Sequence, residues 1–169
     1  MRKTGMCVAG VAIFVAGLIV GSVMTPAIAQ ERNTGLRLNH VQITVPNLDD
    51  AIAHYTKVLG FRVAYRLPVP EGRPATTFLQ ISRDTFLEVA PAAAGVVPGI
   101  THIGLWSDDI NATVAQLRRA GATVADARAG GTTGAKLLTV TDPLGIRLEI
   151  NEQPPGSLMR NAMDAWRQP

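Results

Sequence analysis

Two histidines and two glutamates stand at matched intervals along this chain. Glu88 follows His40 by 48 positions, and Glu149 follows His102 by 47. Each histidine opens an alternating run, His40-Val-Gln-Ile-Thr44 and His102-Ile-Gly-Leu-Trp106. Polar Asp-bearing residues, an amphipathic segment and a glycine follow in both cases. Imidazole nitrogens and carboxylate oxygens are common protein ligands of divalent transition metals. Their recurrence predicts a metal site built between two halves from His40, Glu88, His102 and Glu149. The plainer alternative is that a duplicated fold keeps them as satisfied polar residues. Burying two imidazoles and two carboxylates with neither a cation nor tight pairing is costly, which favours the metal.

Strands must deliver these side chains. From Leu38 to Val45 the pattern alternates: Leu38, His40, Gln42 and Thr44 point toward a cleft, and Asn39, Val41, Ile43 and Val45 point the other way. The aliphatic trio of the second set should face a helix. Pro46-Asn47 breaks the strand, and Asn47 or Asp49 can cap that helix. Leu48, Ile52, Tyr55 and Leu59 form one helical stripe, which Gly60 ends. His54 lies off the stripe and reads as a solvated helix histidine rather than a ligand. Phe61 to Leu67 reads as a strand and 68–74 as a Pro/Gly loop. Thr76 to Ile81 and Thr85 to Ala90 form a hairpin that puts Phe86, Glu88 and Ala90 on one face.

The second half repeats the plan. Ile100 to Trp106 is a strand, and Asp108 or Asp109 caps a helix with Ile110, Val114, Leu117 and Gly121 on one face. Thr123 to Ala127 is predicted as a strand and 128–134 as a loop. Lys136 to Thr141 and Ile146 to Asn151 pair across Asp142-Pro-Leu-Gly145, a type I turn pattern. Glu149 then lies opposite the aliphatic Leu148 and Ile150. In the tail, 153–169, Leu158, Ala162 and Trp166 recur every four residues beside Met159 and Met163. That is a short helix packing on the domain or on a second subunit.

Composition narrows the function classes. Arg2 and Lys3, an apolar run from Met6 to Met24 and the small-x-small Ala27-Ile28-Ala29 form a signal-peptide pattern over 1–29. Cleavage would export a periplasmic or secreted domain; an uncleaved segment would anchor it to the membrane. Two of the 16 basic residues precede residue 30 and all 13 acidic ones follow it, so the remainder carries a net charge of +1. No basic stripe points to nucleic acid. The one cysteine, Cys7, lies in the signal, which leaves no thiolate ligand, thiol nucleophile or disulfide.

The order strand, helix, strand, strand, strand, twice over, resembles the vicinal oxygen chelate superfamily, which includes glyoxalase I, methylmalonyl-CoA epimerase, extradiol dioxygenases and antibiotic resistance proteins. The residues that carry the resemblance are Leu38-Asn-His40-Val-Gln-Ile, Tyr55-Thr-Lys-Val-Leu-Gly60-Phe61, Phe86-Leu-Glu88-Val, Thr101-His102-Ile-Gly-Leu and Asp142-Pro-Leu-Gly145-Ile-Arg-Leu-Glu149-Ile. It spans about 36–152, as modules 36–90 and 100–151. It implies an α+β fold: paired βαβββ modules forming a cupped mixed sheet with helices on the outside.

The same resemblance implies a metal held by His40, Glu88, His102 and Glu149, with two positions open for a small-molecule substrate. Ni, Co, Zn, Mn and Fe(II) all suit such a set. The ligand pattern is closest to glyoxalase I, an isomerising lyase. On that likeness Glu149 is the catalytic base and Glu88 the symmetric alternative. Glutathione-dependent relatives carry an Arg four residues after the first His and an Asn four after the first Glu; here Thr44 and Ala92 stand there. Two other classes remain open, an Fe(II) ring-cleaving dioxygenase and a non-catalytic binding or resistance protein. The tail and the small size suggest a homodimer.

Overall fold

The computed structural model describes residues 35–67, 69 and 75–167. The signal pattern at 1–29 therefore lies outside the described residues, as does most of the 68–74 loop. The described residues form eight strands and three α-helices, with one 3-10 turn over Gly131–Thr133. In chain order they are β1 (Arg37–Val45), α1 (Leu48–Lys57), β2 (Arg62–Arg66), β3 (Thr77–Gln80), β4 (Phe86–Pro91), β5 (Gly99–Trp106), α2 (Ile110–Arg119), β6 (Arg128–Ala129), β7 (Lys136–Thr141), β8 (Arg147–Glu152) and α3 (Leu158–Asp164). They form one mixed sheet in the order β2-β3-β4-β1-β5-β8-β7-β6. β1 runs parallel to β4, and β5 parallel to β8. The two modules meet where β1 and β5 pair antiparallel.

Local chemistry explains the element ends. The Asn47 side chain accepts from the backbone N–H of Asp49 and Asp50 at 3.1 and 3.2 Å. That cap, with Asp49 and Asp50 in the first turn, starts α1 where Pro46 ends β1. Asp109 caps α2 by accepting from Ala112 N–H at 3.0 Å. Gly60 takes φ +73°, the left-handed conformation that ends a helix without a Cβ clash. The Asp142–Gly145 turn closes with Gly145 N–H donating to Asp142 C=O at 3.0 Å.

Apolar alternation sorts the two faces of the sheet. Ile52 packs with Leu79 and Val89, joined by Ile43, Val45, Leu48 and Tyr55. Ile110 and Val114 pack with Leu138 and Ile150. Helices α1 and α2 thus cover the outer face, as the stripes imply; Leu59 falls beyond the end of α1 and is exposed. Helix α3 lies on the inner face. Its Met159 and Met163 are buried against Phe78 and Phe86, with Tyr65 and Trp106 at the edge. The tail therefore docks on its own chain, and its methionines are not a surface for a second copy.

One expected strand is absent. Residues 123–127 form no ladder, and the strand of this region is the two-residue β6. The Arg118 guanidinium takes the Val124 carbonyl at 2.8 Å and the Asp126 carboxylate at 3.0 Å. Val124 and Ala127 still pack on the α2 core. The apolar alternation was real, but the carbonyl that a ladder would use is held by an arginine.

Candidate metal centre

The four residues singled out by spacing arrive from four adjacent strands, β4-β1-β5-β8. Register puts them on one face: Gln42 pairs with Glu88 and His102, His40 pairs with Gly104, and Gly104 pairs with Glu149. This inner face is the one opposite α1 and α2. His40 Nε2 lies 3.0 Å from His102 Nε2. Glu88 Oε2 is 3.5 Å from each of those nitrogens, and Glu149 Oε1 is 3.8 Å from His40 Nε2. Ligand atoms of His40, His102 and Glu149 all fall within 4.8 Å of one another. Two ligands at about 2.1 Å from one ion sit roughly 3–3.5 Å apart at tetrahedral or octahedral angles, so these separations suit a shared cation. His54, on α1, takes no part.

Asn39 sets the state of His40. Its Nδ2 donates to the Asp84 carbonyl at 3.0 Å, which fixes the amide. Its Oδ1, 3.0 Å from His40 Nδ1, must then accept the imidazole proton. The Nε2 lone pair of His40 is thereby aimed at the cluster, as a metal ligand requires. Asn39 was expected on the aliphatic side. A register shift between Leu38 and His40 breaks the alternation, buries Asn39 and leaves Leu38 exposed.

Electrostatics favour a cation. Burial, with the neighbouring His102 adding, lowers the His40 pKa to about 3. Burial lowers His102 to about 4, with Arg147 adding. Both imidazoles are therefore neutral at pH 7, and their contacts with glutamate are not ion pairs. Burial raises Glu88 to about 7; the Gln42 hydrogen bond opposes the rise and Glu149 adds to it. Burial also raises Glu149, against Arg147 and Arg128. His102 Nδ1 is buried with no hydrogen-bond partner among the described residues. Lone pairs and carboxylate oxygens converge here with too few protons to share, and the donor set fits a divalent ion.

The two modules differ beside their glutamates. Gln42 stands next to Glu88, and its Nε2 donates to Glu88 Oε1 at 2.6 Å. Thr101 Oγ1 in turn holds Gln42 Oε1. Gly104 stands at the matching place beside Glu149 and offers no side chain. No hydrogen bond holds Glu149 among the described residues, and its side chain is 18% exposed against 9% for Glu88. One carboxylate is clamped by a side-chain hydrogen bond and the other is not. Both neighbours sit two residues after a histidine, a signal that the sequence carried and that spacing alone did not reveal.

Gly104 has a second duty. A Cβ built there would overlap the His40 imidazole. Gly104→Ala is expected to push the ring off the cluster, lower metal affinity at least tenfold and cost about 1–3 kcal/mol of stability. Metal titration and denaturant unfolding of the variant check this. Unchanged metal affinity would mean that the ring has room to move without loss.

Comparison with known proteins gives a consistent picture. The model of the Glyoxalase/Bleomycin resistance protein/Dioxygenase superfamily matches residues 37–150. Mitochondrial methylmalonyl-CoA epimerase from Homo sapiens is 33% identical over 93 residues, 49% of this chain and 53% of that protein. The Mus musculus protein of the same name is 30% identical over 94 residues, 49% of this chain and 52% of that one. The chain thus spans about half the length of the curated relatives it matches. Among solved structures, a methylmalonyl-CoA epimerase in complex with methylmalonyl-CoA and NH4+ superposes with a TM-score of 0.59 at 21% identity, covering 72% of this chain and 96% of that one. The Mycobacterium tuberculosis epimerase gives 0.58 at 25% identity, covering 70% and 88%.

Proposed function

The chain belongs to the Glyoxalase/Bleomycin resistance protein/Dioxygenase superfamily, and from that premise we propose that it is a metal-dependent isomerase or lyase. It moves a proton on a carbon next to a carbonyl of a small substrate that chelates through two oxygens. The observation that carries this reading is the unequal pair of carboxylates in one convergent cluster. His40, His102, Glu88 and Glu149 would hold a divalent ion of the Ni, Co, Zn, Mn or Fe(II) kind. When bound, it polarises the carbonyl oxygen and offsets the negative charge that develops there.

The chain's own residues do the rest. Glu149 takes the proton from the carbon; the C–H electron pair moves toward the carbonyl oxygen to give an enolate. With a 2-hydroxy carbonyl the same carboxyl group returns the proton to the neighbouring carbon while the hydroxyl proton is lost to solvent and the old carbonyl oxygen gains one, which isomerises the substrate with nothing oxidised or reduced; return to the first carbon exchanges its hydrogen only. In the metal-free chain burial raises the Glu149 pKa above that of a solvated carboxylate. Glu88, clamped by Gln42, stays in place. The epimerase relatives support an isomerase over a ring-cleaving dioxygenase. The signal pattern at 1–29 supports export of this activity.

Deuterium exchange at the α-carbon of a methylmalonyl thioester in D2O, followed by proton NMR, tests the reading. Exchange that depends on added divalent metal is expected. Stoichiometric metal with no exchange on that thioester, on hemithioacetals or on 2-oxo acids would point to a binding protein instead.

A further inference from the structure

On the first-module side of the candidate metal centre the inner face of the sheet is covered by α3; on the other side Leu137 and Asn151 are buried, while Thr139 and Arg147 are exposed. Module symmetry makes Glu88 the counterpart of Glu149. It therefore matches Phe86 with Arg147, each two residues before its glutamate. It also matches Phe78 with Thr139, each paired across from its glutamate. In the first module Phe78 and Phe86 are buried beneath Met159 and Met163 of α3. In the second module Thr139 and Arg147 are both exposed. Arg128, paired with Leu137 and so on the same face as Asn151 and Glu149, is exposed too. Neither arginine has a hydrogen bond or ion pair among the described residues. Of the other guanidiniums nearby, Arg37 is engaged with Asp108 at 2.8 Å and Arg118 with Asp126 at 3.0 Å, while Arg119, on the outer-face helix α2, has no such partner among the described residues. The Arg147 charge acts on Glu88, Glu149 and His102, and that of Arg128 on Glu149, so both lie within electrostatic reach of the cluster.

Two exposed guanidiniums with no hydrogen-bond or ion-pair partner among the described residues, beside a candidate chelating centre, suit a recognition surface. Arginine suits it because its planar fork binds oxyanions through two parallel hydrogen bonds. We propose that the substrate is a small organic acid whose oxyanion group is held by Arg147 and Arg128 on the second-module half of the inner face, while its chelating oxygens meet the ion that His40, His102 and Glu149 would hold. The apolar half under α3 offers no counterpart for a charge. Substrate approaches from the β8-β7-β6 side. This inference rests on the proposed metal-dependent reading for the second half of the ligand, and on the arginines alone for the first.

The test is isothermal titration with malonate and with phosphonoacetate, on wild-type protein, Arg147→Ala, Arg147→Lys and Arg128→Ala. Metal content of each is measured in parallel. Arg147→Ala is expected to weaken malonate roughly 10- to 100-fold, as loss of a charge-assisted contact does, with metal content unchanged. Arg147→Lys should recover part of that, since the charge returns without the fork. Acetohydroxamate, a chelator with no second anionic group, should bind wild type and Arg147→Ala within about twofold of each other. Tighter phosphonoacetate than malonate assigns a phosphoryl group as the oxyanion, and the reverse assigns a carboxylate; either supports the proposal. Malonate and phosphonoacetate affinities unchanged in both alanine variants would overturn it, as would failure of both probes to bind wild type. Protein that takes up no metal yet loses malonate binding in Arg147→Ala would contradict the metal reading and leave the arginine site standing.

Discussion

Replacing Glu149 with glutamine is expected to slow metal-dependent deuterium exchange by roughly 10²- to 10⁴-fold, the usual contribution of a positioned general base. An amide keeps an oxygen that can still face the ion, but it cannot accept the substrate proton. Fold and metal content should therefore survive. The inner face predicts an unequal result for the symmetric change. Glu88 is held by Gln42 at 2.6 Å and is the less exposed of the pair. Glu88→Gln should leave a ligand oxygen where it was and lower exchange by no more than about tenfold. If the two variants lose activity equally, the clamp does not decide which carboxylate moves the proton. If Glu88→Gln alone is inactive, the roles are reversed.

Removing the metal is expected to lower stability, and by more at pH 8 than at pH 6. Without a cation, the raised pKa of Glu88, about 7, means that the folded chain holds a proton that the unfolded chain releases near 4.5. Its contribution to stability is full below about pH 4.5 and is lost as pH rises through 7. Glu149 is raised as well and acts in the same direction. The histidines act in the opposite sense. Their folded pKa values, about 3 and 4, lie below 6.5, so their contribution is present above 6.5 and lost as pH falls. The metal needs all four groups deprotonated and removes the penalty on the carboxylates. The gap in Tm between loaded and metal-free protein should thus widen as pH rises through about 7. With free metal at about 100 times Kd the stabilisation is roughly 2.7 kcal/mol, which is about 5–10 °C in Tm for a domain of this size. Thermal unfolding at pH 6, 7 and 8 with and without metal reads it. A gap that narrows with pH would remove Glu88 from the ligand set.

Much of this site was legible because strand periodicity is short and strict. An alternation of two puts His40 and Gln42, or His102 and Gly104, on one face wherever the strand runs without a bulge. The matched intervals to Glu88 and Glu149 then follow from two modules of nearly equal length. The helices were legible from their caps and stripes, Asn47 with Ile52 and Asp109 with Ile110. What escaped depended on contacts made across the sequence. A register shift between β1 and β5 turned Asn39 inward to orient His40. The 123–127 segment leaves the sheet, and its Val124 carbonyl accepts from Arg118 instead of a strand neighbour. The placing of α3 on the inner face could not be read from its own stripe, because Met159 and Met163 would fit any apolar surface. Only the register of Phe78 and Phe86 shows that they lie on the ligand face. The unequal neighbours Gln42 and Gly104 were visible as letters, but their effect on Glu88 and Glu149 needed the pairing of β1 with β4 and β5 with β8.

Everything functional here turns on whether His40, Glu88, His102 and Glu149 bind one metal ion. Elemental analysis of the chain purified without chelator, beside a sample stripped and reloaded and beside His102→Ala, measures this directly. About one equivalent of a divalent transition metal per chain is expected in the first two samples, with the variant falling well below it. Wild-type protein that carries only traces of any such metal and gains none on reloading would contradict it.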